Sequence, residues 1–204
     1  MDRPAQLALV AALVLALGGA GALAIHGPSA PAPAGAPATA SESVQLAAEL
    51  PNHPELGPEP LKGGQTSLHA LGEAIVDGLA RGDAQALDAL IVDAHDYKTR
   101  LFALLANSPS AHQMGADLLW DMQSRESRDE RDRAVRLYGR RPLRLVSITS
   151  PRAPERRGGL ILHRSPVLVV LDDQGAAHEL RILATVLEHE ATSTFTLLAY
   201  RIRG

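Results

Sequence analysis

From residue 66 to residue 138 apolar side chains recur at three- and four-residue intervals, and after Pro142 they recur at every second position. The first period is that of a helix and the second that of a strand. Thr66 and Ser67 can cap a helix whose Leu68, Leu71, Ile75 and Leu79 share one side, with Gly82 as its stop. Asp83 caps a short second helix carrying Leu87, Leu90 and Ile91. A third stretch, around Asp96 to Ala106, holds Leu101, Phe102, Leu104 and Leu105 and breaks at Asn107-Ser108-Pro109. A longer helix is predicted from Ser110 to Tyr138. Its first half is apolar on one side (Met114, Leu118, Leu119, Met122), and its second is the charged run SRESRDERDR, which reads as self-paired surface.

In the β-rich half, Leu143–Thr149 predicts one strand. Leu160–Leu171 predicts a long strand with a bend at Pro166, and Asp172-Asp173-Gln174-Gly175 is hairpin-turn chemistry. His178–Leu187 returns with Leu180, Ile182, Ala184 and Val186 on one face, and Thr194–Arg203 closes with Leu198, Tyr200 and Ile202 together. Helices first and an antiparallel meander after is an α+β layout, with the helices packed on a curved sheet.

The first 61 residues carry no such periodicity. From Gln6 to Ile25 only Gln6 is polar, a span about 30 Å long as a helix, the thickness of a bilayer core. Arg3 precedes it and no Lys or Arg follows until Lys62, which sets the N-terminus inside and the remainder outside. Leu7–Leu17 also has the form of a signal-peptide core, followed by small residues suited to cleavage. Residues 1–25 are therefore a signal peptide or a single-pass membrane anchor, and either one gives an extracytoplasmic protein. Residues 26–61 hold eight Pro among Ala, Ser and Gly and read as a disordered linker, a spacer that favours a retained anchor. The folded domain is expected over 62–204.

Composition narrows the classes. There is no Cys among 204 residues, which excludes disulfide scaffolds, thiolate metal sites, Cys nucleophiles and acylated lipoprotein anchors. Residues 1–61 hold Asp2, Glu42, Glu49, Glu55 and Glu59 against Arg3 alone, so the formal charge of −3 arises there. The rest is nearly neutral, without the basic excess of a nucleic-acid binder.

The leading helix, LARGDAQALDALI, a helical hairpin and a meander ending in LLAYRI together resemble the nuclear-transport-factor-2-like (SnoaL-like, cystatin-type α+β) superfamily over residues 66–204. More narrowly, DAHDYKTRLFALL, the Trp120 helix and LYGRRPLRLVSI resemble uncharacterised exported bacterial domains of that fold. The usual Gly-Gly-Arg turn of that group is here Gly139-Arg140-Arg141, and the last hairpin carries Glu190-Ala191-Thr192-Ser193 in place of a Gly turn. The resemblance implies a cone of sheet and helices. Such cones host isomerases, dehydratases and many non-catalytic binding domains, and the enzymes place an Asp or His inside the cone.

Candidate chemistry is sparse. Asp93, His95, Asp96 and Tyr97 form the densest polar group, where His95 or Asp96 is a candidate general base for a small isomerase- or hydratase-like enzyme. The alternative is that Asp93 or His95 caps the next helix while Asp96 and Tyr97 face solvent. His178-Glu179 and Glu188-His189-Glu190 invite a metal, but adjacent strand residues point oppositely, so no metal or other cofactor is expected. Arg140, Arg141, Arg156 and Arg157 belong to an Arg-rich stretch suited to docking an envelope protein or anionic surface. Trp120 and Tyr200 are candidates for lining a pocket between helix and sheet. Leu183, Leu187, Phe195 and Leu197 suggest an apolar outer sheet face for a homodimer. The expectation is an exported, membrane-tethered, non-catalytic binding or assembly module, with the acid–base enzyme and a structural dimer as alternatives.

Overall fold

The computed structural model describes residues 55–106 and 108–202. The leader and most of the linker, including residues 6–25, lie outside the described residues. Among the described residues no helix is long and apolar enough to cross a membrane.

The structure is α+β. Helix α1 (Leu68–Arg81) begins where the Ser67 side chain accepts from the Ala70 N–H, and it ends at Gly82 in the left-handed region (φ 66°) that a side chain resists. Asp83 caps α2 (Ala84–Asp88), and Asp93 caps α3 (Ala94–Asp96). The chain then widens to a π-helical turn over Tyr97–Leu101 before α4 (Phe102–Leu105). Helix α5 (Pro109–Tyr138) is interrupted at Gly115, whose φ of 75° and ψ of 164° break the ladder.

Seven antiparallel strands follow: β1 (Arg144–Thr149), β2 (Glu155–Arg157), β3 (Leu160–Arg164), β4 (Val167–Leu171), β5 (Ala177–Leu180), β6 (Leu183–His189) and β7 (Thr194–Tyr200). They form two sheets, β1-β4-β5 and β2-β3-β6-β7. The long hairpin foreseen across Leu160–Leu187 is there, but it bends between the sheets. Ser165 takes a φ of 51° and Pro166 has no N–H to donate, while Arg181 and Ile182 leave the ladder opposite them. The ladder thus passes from Arg164↔Thr185 to Leu168↔Leu180.

The core divides between the two faces of the four-stranded sheet. On one face Leu71, Ile75 and Leu79 of α1 meet Leu168, Val170, Leu180, Val186, Leu197 and Tyr200. On the other, Leu160, Leu162 and Leu187 meet Val92, Leu101 and Leu104. Leu61 is buried in this second cluster and Leu56 packs against it, with the Leu56 N–H donating to the Gly158 carbonyl. Packing therefore starts inside the stretch read as linker, because Leu56 and Leu61 supply apolar surface between the prolines. Double cover also corrects the expected outer face. Leu183, Leu187 and Leu197 are at most 1% exposed, so they are core residues of a single chain rather than a surface left for a second copy.

The charged run of α5 is a second correction. Two of its positions, Ser127 and Glu130, and Gln123 just before it reach the free edge of β7 and the residues after it. The Gln123 amide donates to the Leu198 carbonyl (3.4 Å), Ser127 Oγ accepts from the Tyr200 N–H (3.0 Å), and Glu130 accepts from the Ile202 N–H (3.0 Å). Helix residues four and three apart lie on one stripe, and alternate residues of an extended strand present their edge groups at similar intervals. Arg131 turns inward to pair with Asp88 and Asp132. The apolar side expected of α5 is instead open, with Leu118 50% and Met122 39% exposed.

Ser127→Ala orphans a buried donor at Tyr200, and the expected loss is about 1–3 kcal/mol in denaturant unfolding. Arg125→Ala, on the exposed side of the same helix, is expected to stay within about 0.5 kcal/mol. His189 is 1% exposed, with Thr192 Oγ1 on its Nδ1 (2.8 Å) and, among the described residues, no hydrogen-bond partner for Nε2. Burial, and then the Arg100 cation, hold its imidazole below the ordinary 6.5, against a small opposing effect of the Gly57 backbone. A depressed folded value gives stability that is complete above 6.5 and declines as pH falls through the lower folded value. Unfolding midpoints measured from pH 7.5 to 5 should show that decline, and His189→Gln should flatten it.

Candidate functional site: an apolar groove beside Trp120

An open groove of about 520 Å³ lies between the α2–α3 connection, one stripe of α5 and β7. Ile91, Val92, Ala94, Trp120 and Leu198 give it an apolar floor. Lys62, Asp88, Asp93, Gln123, Ser124 and Arg128 stand around it. Its walls are fixed by main-chain bonds. The Val92 N–H donates to the Leu197 carbonyl (2.9 Å) and the Leu197 N–H to the Leu90 carbonyl (3.0 Å), which pins the connection to the edge of β7. Lys98 pairs with Asp117 (2.6 Å) and ties the start of α5 to the π-helical turn. Trp120 lies against the buried ring of Tyr97, centroids 5.2 Å apart and planes at 40°, so the indole is backed by a fixed aromatic wall.

The charges of the rim are largely spent within the protein. Asp93 Oδ1 accepts from the Asp96 N–H (2.8 Å) and Oδ2 meets Lys62 Nζ (3.3 Å). The Asp96 N–H, more than Lys62, holds the Asp93 carboxyl below its ordinary 3.8. Asp88 is taken by Arg131. Arg128 differs. Its Nε donates to the Ser124 carbonyl (3.1 Å), and among the described residues no carboxylate pairs with it.

The two candidate bases are placed apart from this floor. His95 is exposed. Asp96 is 7% exposed, contrary to a solvent position, and both its oxygens are engaged. Oδ2 accepts from the Lys62 N–H (2.8 Å) and Oδ1 from Arg100 (2.9 Å), whose guanidinium also reaches the carbonyls of Glu59 and Pro60. This cluster staples residues 59–62 to the helices. Tyr97, also expected in solvent, is buried behind Trp120.

Of the two pocket candidates, Trp120 lines the groove. Tyr200 is 2% exposed in the core, its hydroxyl donating to the Leu87 carbonyl (3.1 Å) and its ionisation pushed up by burial. The arginines are divided between two sheets, Arg140 and Arg141 before β1 and Arg156 and Arg157 in β2. Arg140 and Arg141 precede β1 and Arg152 follows it, and the six residues of β1 span about 20 Å. Arg157 and Arg164 share Glu155, and Arg156 meets Glu190 (3.2 Å).

One constellation had no local signal in the sequence. His163 is 9% exposed, with Nε2 on Glu188 Oε2 (2.8 Å), Nδ1 near Ser150 Oγ (3.4 Å) and the Phe195 ring 6.0 Å away. The β3–β6 register pairs Ile161 with Glu188 and His163 with Val186, which sets His163 and Glu188 diagonally on one face. It links the end of β1 to the four-stranded sheet. Among the described residues no group of three or more His, Cys, Asp or Glu converges as a metal site.

Asp93 contributes stability that is full above pH 3.8 and lost as pH falls through its lower folded value. Asp93→Asn, which keeps a capping oxygen but no charge, is expected to flatten the acid limb of a stability–pH curve, and Asp93→Ala, which removes the cap as well, to lose about 0.5–2 kcal/mol at neutral pH. No family model, curated protein or solved structure matches this chain.

Proposed function

We propose that this chain is an exported, membrane-tethered domain of the nuclear-transport-factor-2-like type, acting as a non-catalytic binding module of the cell envelope, with the Trp120 groove as its ligand site. The observation that carries the reading is the groove itself, about 520 Å³ of apolar floor held open by a backed indole and pinned main chain. That volume falls within the range of about 300–1,000 Å³ common to small-molecule sites. An apolar floor of this kind gains affinity by removing ligand surface from water and offers no group to a reacting bond. The carboxylates nearest it are committed to Lys62, Arg131 and the N-terminus of α3. Export and tethering rest on the apolar span of residues 6–25, its flanking Arg3 and the Pro/Ala linker.

Trp120 is the only tryptophan of the chain, so its emission reports directly on the groove. A neutral apolar probe, 1-decanol, added to the purified full chain is expected to shift that emission to the blue and to saturate. Leu198→Arg, which puts a charge on the floor, should abolish the saturable part. A shift that never saturates, or that Leu198→Arg leaves unchanged, refutes the reading.

A further inference from the structure

We propose that the ligand of the Trp120 groove is a single-chain amphiphile with a carboxylate head, its acyl chain on the apolar floor and its head on Arg128. The inference rests on the groove being a binding site and adds the chemistry of what it takes.

Charge accounting around the groove leads to it. Lys62 is matched by Asp93 (3.3 Å), and Asp88 by Arg131, which also holds Asp132. Asp93 is bound in addition to the N-terminus of α3. Arg128 is the one lining cation without a carboxylate among the described residues. Its Nε–H is occupied by the Ser124 carbonyl at 3.1 Å, and one terminal nitrogen approaches Ser124 Oγ at 3.5 Å. That anchorage orients the planar fork from its own helix turn and leaves terminal N–H groups to face an anion. A guanidinium presented in this way matches a carboxylate through paired, charge-assisted bonds.

The rest of the groove selects against a pairing peptide. Along the edge of β7 that borders it, the ladder groups of three residues are already engaged. Leu197 is bonded to Leu90 and Val92, the Leu198 carbonyl to Gln123, and the Tyr200 N–H to Ser127. A chain laid along that edge finds no partners for its own N–H and C=O groups, which would be desolvated without return. An alkyl chain has no such groups to satisfy. One free cation beside an apolar floor is therefore complementary to a molecule with one anionic end and an otherwise apolar body.

The test uses Trp120 emission of the purified full chain with three probes, decanoate, 1-decanol and a capped apolar peptide. Decanoate is expected to bind at least about 10-fold tighter than 1-decanol at low salt, the size of one charge-assisted pair. Arg128→Gln should bring decanoate down to the affinity of 1-decanol and leave 1-decanol unchanged. Arg125→Gln, one turn earlier and outside the groove, should leave the preference intact. If decanoate and 1-decanol saturate equally, or if Arg125→Gln removes the preference as well as Arg128→Gln does, the carboxylate assignment is overturned while the groove remains a binding site. If the capped peptide displaces decanoate and binds tighter, the amphiphile is the wrong class. If no probe gives a saturable shift, both the assignment and the binding reading fall.

Discussion

Among the described residues the last strand has no strand partner on its outer side, and the architecture follows from how that edge is closed. An uncovered edge is both a cost in unpaired backbone and a template for association. Here β7 borders the four-stranded sheet, and its outer groups are met by Gln65 at Phe195, by Leu90 and Val92 at Leu197, and by the α5 side chains beyond. Sealing the edge by side chains requires a polar stripe on α5 facing inward. That is why the helix is charged where a core helix would be apolar and why Ser127 is buried, while the buried Arg131 beside it answers Asp88 and Asp132. The Trp120 groove lies between that stripe, β7 and the α2–α3 connection.

The same arrangement explains which features of the sequence could be read directly. Local rules settled the cap at Asp83, narrowed two others to Thr66 or Ser67 and to Asp93 or His95, and settled the stop at Gly82, the hairpin at Asp172–Gly175 and the bend at Pro166, because each depends on residues within one turn of itself. Strand β2 escaped notice because Glu155-Arg156-Arg157 pairs only through the register of β3. The charged run was misassigned for a related reason. Its partners, Tyr200 and Ile202, lie 73 and 72 residues away, and helical periodicity carries no information about them. Leu118 and Met122 misled in the other direction, since an apolar stripe states a preference for burial but not whether a neighbour exists to provide it.

The candidate site was legible only in part. Trp120 stood out as the single indole, and the Asp93–Tyr97 group as the densest polar cluster. Neither pattern showed that the cluster serves to fasten residues 59–62, because that role depends on Arg100 reaching main-chain carbonyls forty residues earlier. Arg128 was invisible for the opposite reason. Its distinction is the lack of a carboxylate in a region crowded with them, and a deficit of that kind appears only once every neighbour has been placed.

The bond between Ser127 and Tyr200 has a consequence for the order of assembly. Synthesis from the N-terminus delivers α5 well before β7, so the helix that seals the edge exists before there is an edge to seal. Until β7 arrives, the polar stripe of α5 is solvated and β6 is the exposed border of the sheet. Loop closure over such a separation is slow relative to local helix formation. Docking of the final strand should then be the cooperative event that removes both vulnerable surfaces together. A chaperone bound before β7 docks would meet the chain in its most adhesive state, and one arriving afterwards would find little left to protect.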